Sequence, residues 1–219
     1  MDKLLIYGTT EFAAQLYFYL SRDKIFHVLG FVESKEFRQK QKYFSLPVYD
    51  LEDLHNFYSC TEVRIILGVG YKKLNAVRES VYDEIKKSGF HLFTYISPRA
   101  LISEGVVVED GVFIGDNVFI GPGTKLGRGV IIYPTACIGE FNVVNDFCFI
   151  SLGVVTGGYT QIGKRSFIGL HSTIKNNINV ASDSLIGSAT NVIHDTQSWG
   201  VYVGNPARLI KKYTSDIMI

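Results

Sequence analysis

A six-residue period governs the second half of this chain. Stepping by six from Ile102 through Ile138 and Ile168 to Val192, fifteen of sixteen positions are Ile, Leu or Val, and Thr156 alone departs. Two residues before each of these sits a second patterned position, running from Ala100 through Thr124, Asn142 and Cys148 to Thr190, with no charge among them. Glycine follows the aliphatic at 115, 121, 127, 139, 157, 163, 169 and 187. An α-helix repeats every 3.6 residues and a strand every two, so neither yields a six. The pattern predicts a triangular coil from about Ala100 to Ile193, with one hexapeptide per side and about five coils in all. The aliphatic points inward onto its equivalents in the next coil. The small residue sits near a corner, and the glycine takes a tight turn where a Cβ would be crowded.

A different pattern precedes the coil, over residues 1–97. Lys3–Tyr7 reads as a buried parallel strand, and Phe12, Leu16, Tyr19 and Leu20 follow it at helical spacing. Val28–Val32 and Val63–Leu67 read as further strands, with a helix marked by Leu74, Val77, Val81 and Ile85. His91–Ile96 reads as a last strand, handing over to the coil at Ser97-Pro98. Strand, glycine turn and helix in alternation predict a doubly wound α/β domain, with the coil domain spanning 98–219.

Several function classes drop out on composition. Lys and Arg number 22 against 21 Asp and Glu, without a basic stripe, so no nucleic-acid partner is expected. No apolar run approaches the ~20 residues that span a bilayer, and the N-terminus lacks the form of a signal peptide. Cys60, Cys137 and Cys148 lack close spacing and read as buried thiols in a reducing, cytoplasmic setting. No His, Asp and Glu set has metal-site spacing, so no metal is expected.

Gly8-Thr9-Thr10-Glu11 retains the first glycine of a dinucleotide fingerprint, with Thr10 where the second would stand. It reads either as a plain strand-to-helix turn or as a helix N-terminus whose hydroxyls hold a phosphate or sugar oxygen. Glu33 closes a strand where a carboxylate can accept from a ribose hydroxyl, or it is a solvated loop group.

These features together resemble the bacterial sugar O- and N-acyltransferases of the hexapeptide-repeat family, typified by sialic-acid O-acetyltransferases and bacillosamine N-acetyltransferases. The motifs are the turn from Gly8 to Ala13, Gly30-Phe31-Val32-Glu33, Gly68 to Asn75, Tyr95 to Pro98, the hexapeptides, and the exit from Gly200 to Arg208. The resemblance implies a left-handed coil, a homotrimer with acyl-CoA sites between neighbouring coils, and acetyl-CoA as co-substrate. It also implies a Rossmann-like N-terminal domain that carries a nucleotide-linked sugar, with Gly8, Thr9, Thr10, Glu33, Gly68 and Gly70 near the nucleotide. The coenzyme would lie along glycine-rich corners at Gly157, Gly163, Gly169, Gly187, Ser188 and Ala189. It would leave past Gly204 and Pro206, with Arg208, Lys211 and Lys212 near its phosphates; each corner glycine reads equally as a plain turn, and the three basic residues as a solvated tail. The product would enter a surface-glycan pathway.

The resemblance places a catalytic histidine where this chain has Glu140. Its orienting neighbour falls on Phe141, a second histidine on Phe149 and an asparagine on Tyr133. Three readings follow. Glu140 is itself the base, in a partly dry cleft beside Phe141 and Phe149. Alternatively an amine arrives neutral and the site supplies proximity and an oxyanion donor, with His171 facing the acyl group. In the third, catalysis has been lost and the chain binds a sugar nucleotide or scaffolds a complex. His27 and His55 read as surface groups, and His194 as a turn histidine satisfied by Asp195. Phe113, Phe119, Tyr133, Phe147, Phe149, Tyr159 and Phe167 fall outside the inward column, which predicts an apolar outer surface covered by oligomerisation.

Overall fold

The computed structural model describes residues 2–213. It divides into two compact units, one of residues 1–70 with 78–94 and the other of 71–77 with 95–219.

In the first unit, Leu4, Leu5 and Ile6 of β1 (Asp2–Tyr7) are wholly buried, as expected of a strand covered on both faces. After α1 (Glu11–Asp23) come β2 (Phe26–Glu33), β3 (Lys42–Tyr43), β4 (Leu46–Asp50), β5 (Arg64–Leu67), α2 (Ala76–Lys87) and β6 (His91–Leu92). The sheet order is β3-β4-β2-β1-β5-β6, parallel except for the β3–β4 pair. Phe12, Leu16 and Leu20 of α1 are buried. Chain order reverses on either side of β1, so β1, β2 and β5 present their C-terminal ends together. In open parallel sheets this is where ligands sit.

The second unit is a parallel β-helix. Two-residue strands pair in parallel with the strand eighteen residues on, as Ile114 with Ile132 and Ile132 with Ile150. They form three faces. The first runs from Tyr95–Ile96 to Leu185–Ile186, the second from Leu101–Ile102 to Asn191–Val192, and the third from Val107–Val108 to Asn179–Val180. The predicted inward column is the core, buried from Ile114 to Val192, with Ile102 and Val108 partly covered at the open end. Thr156 also points inward, at 3% exposure. Gly200–Val203 and Arg208–Lys212 extend the first face, the latter strand antiparallel.

Two expectations need correction. His91–Ile96 is not one strand, because His91–Leu92 pairs in the first unit and Tyr95–Ile96 is the first rung of the coil. The patterned glycines do not supply the turn conformation. That falls two residues later, at every sixth residue from Gly105 to Ala189, where φ lies between 52° and 74° whatever the side chain. The patterned glycine is required by close approach: a Cβ on Gly139 would stand 2.7 Å from the carbonyl carbon of Gly157 in the next coil.

Candidate functional site

In the first unit the predicted nucleotide residues assemble around the ends of β1, β2 and β5. Gly8 has φ +100°, and its N–H donates to Val32 O at 2.8 Å. A Cβ on Gly68 would overlap Tyr7 O and the Ala13 methyl, so this close crossing of chain needs glycine. Thr10 Oγ1 donates to Gly68 O at 3.3 Å and Thr9 Oγ1 to Glu33 Oε1 at 2.8 Å. Glu33 Oε2 is buried without a partner among the described residues. A Cβ on Gly70 would meet no neighbouring atom, and the Gly70 carbonyl accepts from the buried Arg78 at 2.8 Å. Sequence reasoning missed two neighbours. Ser34 hydrogen-bonds Tyr7 and donates to Glu84 Oε1 at 2.7 Å, while burial raises the Tyr7 pKa.

The coil separates the two catalytic candidates. Glu140 stands at the corner between the second and third faces, and His171 at the corner between the first and second. Within one chain they do not share a corner. Glu140 is exposed rather than held in a partly dry cleft, and its carboxylate lies across Gly158, where a Cβ would overlap Oε1. Its carbonyl accepts from Tyr159 N at 2.9 Å. Phe141, with φ 53°, stacks on Tyr159 at 5.1 Å between ring centroids, and both are more than half solvent-exposed or nearly so at 50% and 58%. The exposed His171 ring crosses Gly153, where a Cβ would be 2.5 Å from Nδ1. Gly153 and Gly158 are therefore seats for the two candidates, and neither belongs to the patterned glycine column.

The proposed coenzyme residues also divide. Gly157 shares the corner of Glu140, whereas Gly169, Gly187 and Ala189 share that of His171. Gly163 lies at the third corner. Gly169 stacks directly on Gly187, its missing Cβ 2.7 Å from Gly187 C. The exit closes onto this corner: Asn191 N donates to Gly204 O at 3.0 Å and Ala207 N to Asn191 O at 2.8 Å, around a cis Asn205–Pro206 bond. Arg208, Lys211 and Lys212 are exposed. No group of three metal-ligating side chains occurs among the described residues.

Four further expectations are corrected. Phe149 does not flank Glu140. It lies on the first face, stacked on Phe167 at 5.2 Å and met edge-on by Tyr71. Phe113, Phe147 and Phe149 are buried within the chain, at 2%, 1% and 2% exposure, so they give no argument for oligomerisation. Cys60 and Cys137 are only half-buried, and Asp195 serves the Asn179 N–H at 2.8 Å while His194 is exposed.

This fold defines a class, the parallel β-helix built from hexapeptides with an α/β unit before it. Within that class, residues 105–140 match the bacterial transferase hexapeptide (six repeats). A serine acetyltransferase from Synechococcus elongatus is 34% identical over 105 residues, covering 43% of this chain and 42% of that protein. The chain spans less than half the length of the curated relatives it matches. Over nearly the whole chain, the structure is similar to the acetyltransferase domain of PglB from Neisseria gonorrhoeae in complex with acetyl coenzyme A. The TM-score is 0.85 at 22% identity, over 95% of this chain and 99% of that one. It is also similar to a variant of perosamine N-acetyltransferase from Caulobacter crescentus in complex with CoA and GDP-perosamine. There the TM-score is 0.83 at 20% identity, over 97% and 98%. At such identities the likeness establishes the fold.

Proposed function

We propose that the chain transfers an acyl group, acetyl in the first instance, from acyl-CoA to an amine or hydroxyl of a nucleotide-linked sugar. The observation that carries this is the seating of Glu140 across Gly158, which gives a coil of the transferase repeat a carboxylate where the family resemblance expects a histidine. In the reaction, the sugar nitrogen or oxygen attacks the thioester carbonyl carbon. Its proton passes to the Glu140 carboxylate, the C–S bond breaks, and the proton leaves on the CoA thiolate. The His171 corner, with Gly169 stacked on Gly187 and the closed exit, offers the coenzyme backbone groups without intruding side chains. In the first unit, Rossmann-like in its strand order, the buried free oxygen of Glu33 suits a ribose hydroxyl, and the N-terminus of α1 suits a phosphate. The complex of the Caulobacter relative with CoA and GDP-perosamine supports both ligand classes.

The reading extends to a left-handed coil, a homotrimer, a cytoplasmic setting and a role in surface-glycan synthesis. The exposed Leu101, Phe141, Leu152, Val155, Tyr159 and Leu170 on and beside the second face are the apolar surface that a trimer would cover. No helix among the described residues is long and apolar enough to cross a membrane. The test is calorimetric titration with acetyl-CoA, followed by transfer assays on amino and hydroxy sugar nucleotides. Binding near one site per chain with acetyl transfer is expected. Absence of binding at millimolar coenzyme would leave a non-catalytic sugar-nucleotide binder.

A further inference from the structure

The repeat carries two exceptions inside the coil: Thr156 in the inward aliphatic column, and Asn142, a long polar side chain, in the column of small corner residues. The structure brings them into contact. Asn142 is 1% exposed and Thr156 3%, and Asn142 Nδ2 donates to Thr156 Oγ1 at 2.7 Å. The same nitrogen donates to Gly139 O at 3.1 Å, and Asn142 Oδ1 accepts from Thr160 N at 2.5 Å. Gly139 O also accepts from Thr124 Oγ1 at 2.9 Å, while Gly139 N donates to Thr156 Oγ1 at 3.1 Å. Every polar bond of the pair thus converges on the residue before Glu140 or on the adjoining rung.

Side-chain hydroxyls hold corner carbonyls elsewhere, as Ser172 holds Gly187 O and Thr160 holds Lys175 O. Side chains take both the N–H and the C=O of a corner residue again at Ala181, through Thr196, Ser166 and Ser184. That corner closes the last strand of the third face, where side chains replace a missing rung. At Gly139 the next rung is present, and Gly139 N also donates to Thr156 O at 3.2 Å. The extra bonds are therefore not needed to finish the coil. A buried amide and hydroxyl also carry a desolvation cost that an apolar pair avoids.

We infer that Asn142 and Thr156 are positioning residues for Glu140. From inside the coil they fix the peptides on either side of Gly139, and so the direction in which Glu140 leaves the corner toward Gly158. The inference rests on the reading of Glu140 as the base. It gives the interior polar pair a reason to exist at this rung, next to the residue where the chain departs from its family resemblance.

The test compares acetyl transfer by the parent, Glu140→Gln, and the double variant Asn142→Ala/Thr156→Leu, which restores an apolar interior. The double variant is expected to melt somewhat lower than the parent, because the buried Thr160 N–H loses its acceptor, but to stay folded and keep the KM for acetyl-CoA. Its kcat is expected to fall roughly 10- to 100-fold, with the acidic limb of its pH–rate profile displaced. Added to Glu140→Gln, the same pair of changes is expected to cost nothing further. Thr156→Val, which removes only the hydroxyl, is the second variant should the double one fold poorly, and it is read in the same way. Unchanged kcat and acidic limb in a folded variant, with Glu140→Gln slow, overturn the positioning inference alone. A Glu140→Gln enzyme as fast as the parent overturns the reading of Glu140, and the inference with it.

Discussion

Asn142 and Thr156, fourteen residues apart in sequence, meet through a 2.7 Å hydrogen bond inside the coil, against its column of aliphatic side chains. Removing one partner strands the other, while removing both leaves the Thr160 N–H without its acceptor but no side chain of the pair unsatisfied. Each of Asn142→Ala and Thr156→Val is therefore expected to cost about 1–3 kcal/mol in urea unfolding, with the double variant costing less than the sum. Strict additivity would show that the two side chains are not coupled.

Gly158→Ala places a methyl where the Glu140 carboxylate lies. The obstructing atom is the far end of a flexible side chain, so stability should change by less than about 1 kcal/mol. The carboxylate must move, and acetyl transfer is expected to fall about ten-fold or more, since misplacement of a reacting group by an ångström is expensive. Paired melting and rate measurements separate the two effects.

Gly139→Ala behaves differently. Its new Cβ would meet the backbone of Gly157 and Gly158 at 2.7–2.8 Å, and neither chain segment can step aside without breaking rungs. Destabilisation of about 2–3 kcal/mol or more is expected from chemical denaturation.

Such glycines show how far the sequence can be read. The six-residue period locates the coil because no other regular structure produces it, and the inward column from Ile114 to Val192 is buried as that period requires. The left-handed corner position escapes notice because its occupants share no chemistry: Gly105, Phe141, Arg165 and His171 all adopt it. Phe149 misleads because its outward position suggests exposure, whereas Tyr71, from a distant stretch of chain, packs against it at 5.1 Å. β4 gives little signal because Pro47 interrupts a short strand, and the rung Tyr95–Ile96 is indistinguishable in composition from the strand before it. Gly8, Thr9, Thr10, Glu33 and Gly68 do come together, since all lie at or just past strand ends that the topology gathers. Glu140 and His171 do not, because corner assignment depends on counting hexapeptides in threes.

In the first unit, Glu33→Gln tests the nucleotide cluster. The amide keeps the shape but puts a donor in place of one acceptor, where Thr9 already donates to Oε1 and Oε2 is buried without a partner. Affinity for a nucleoside diphosphate sugar is expected to fall about ten-fold or more by calorimetry, with acetyl-CoA binding unchanged. Equal loss of both ligands would point to misfolding rather than to a nucleotide contact.

Alkaline stability follows from Tyr58. Burial, then the hydrogen bond with Tyr49 at 3.1 Å, pushes its pKa up to about 12. An unfolded tyrosine ionises near ~10, so the stabilising contribution is whole below that pH and is lost as pH rises toward the folded value. The melting temperature should decline between about pH 10 and 12, and Tyr58→Phe should flatten the decline. Phenolate absorbance followed alongside melting checks the assignment.

The most direct test of the account is the rate of acetyl transfer from acetyl-CoA to an amino or hydroxy sugar nucleotide by the parent and by Glu140→Gln. Both proteins are expected to bind acetyl-CoA equally, and the variant to turn over about 100-fold or more slowly near neutral pH. Equal turnover by the two proteins would contradict it.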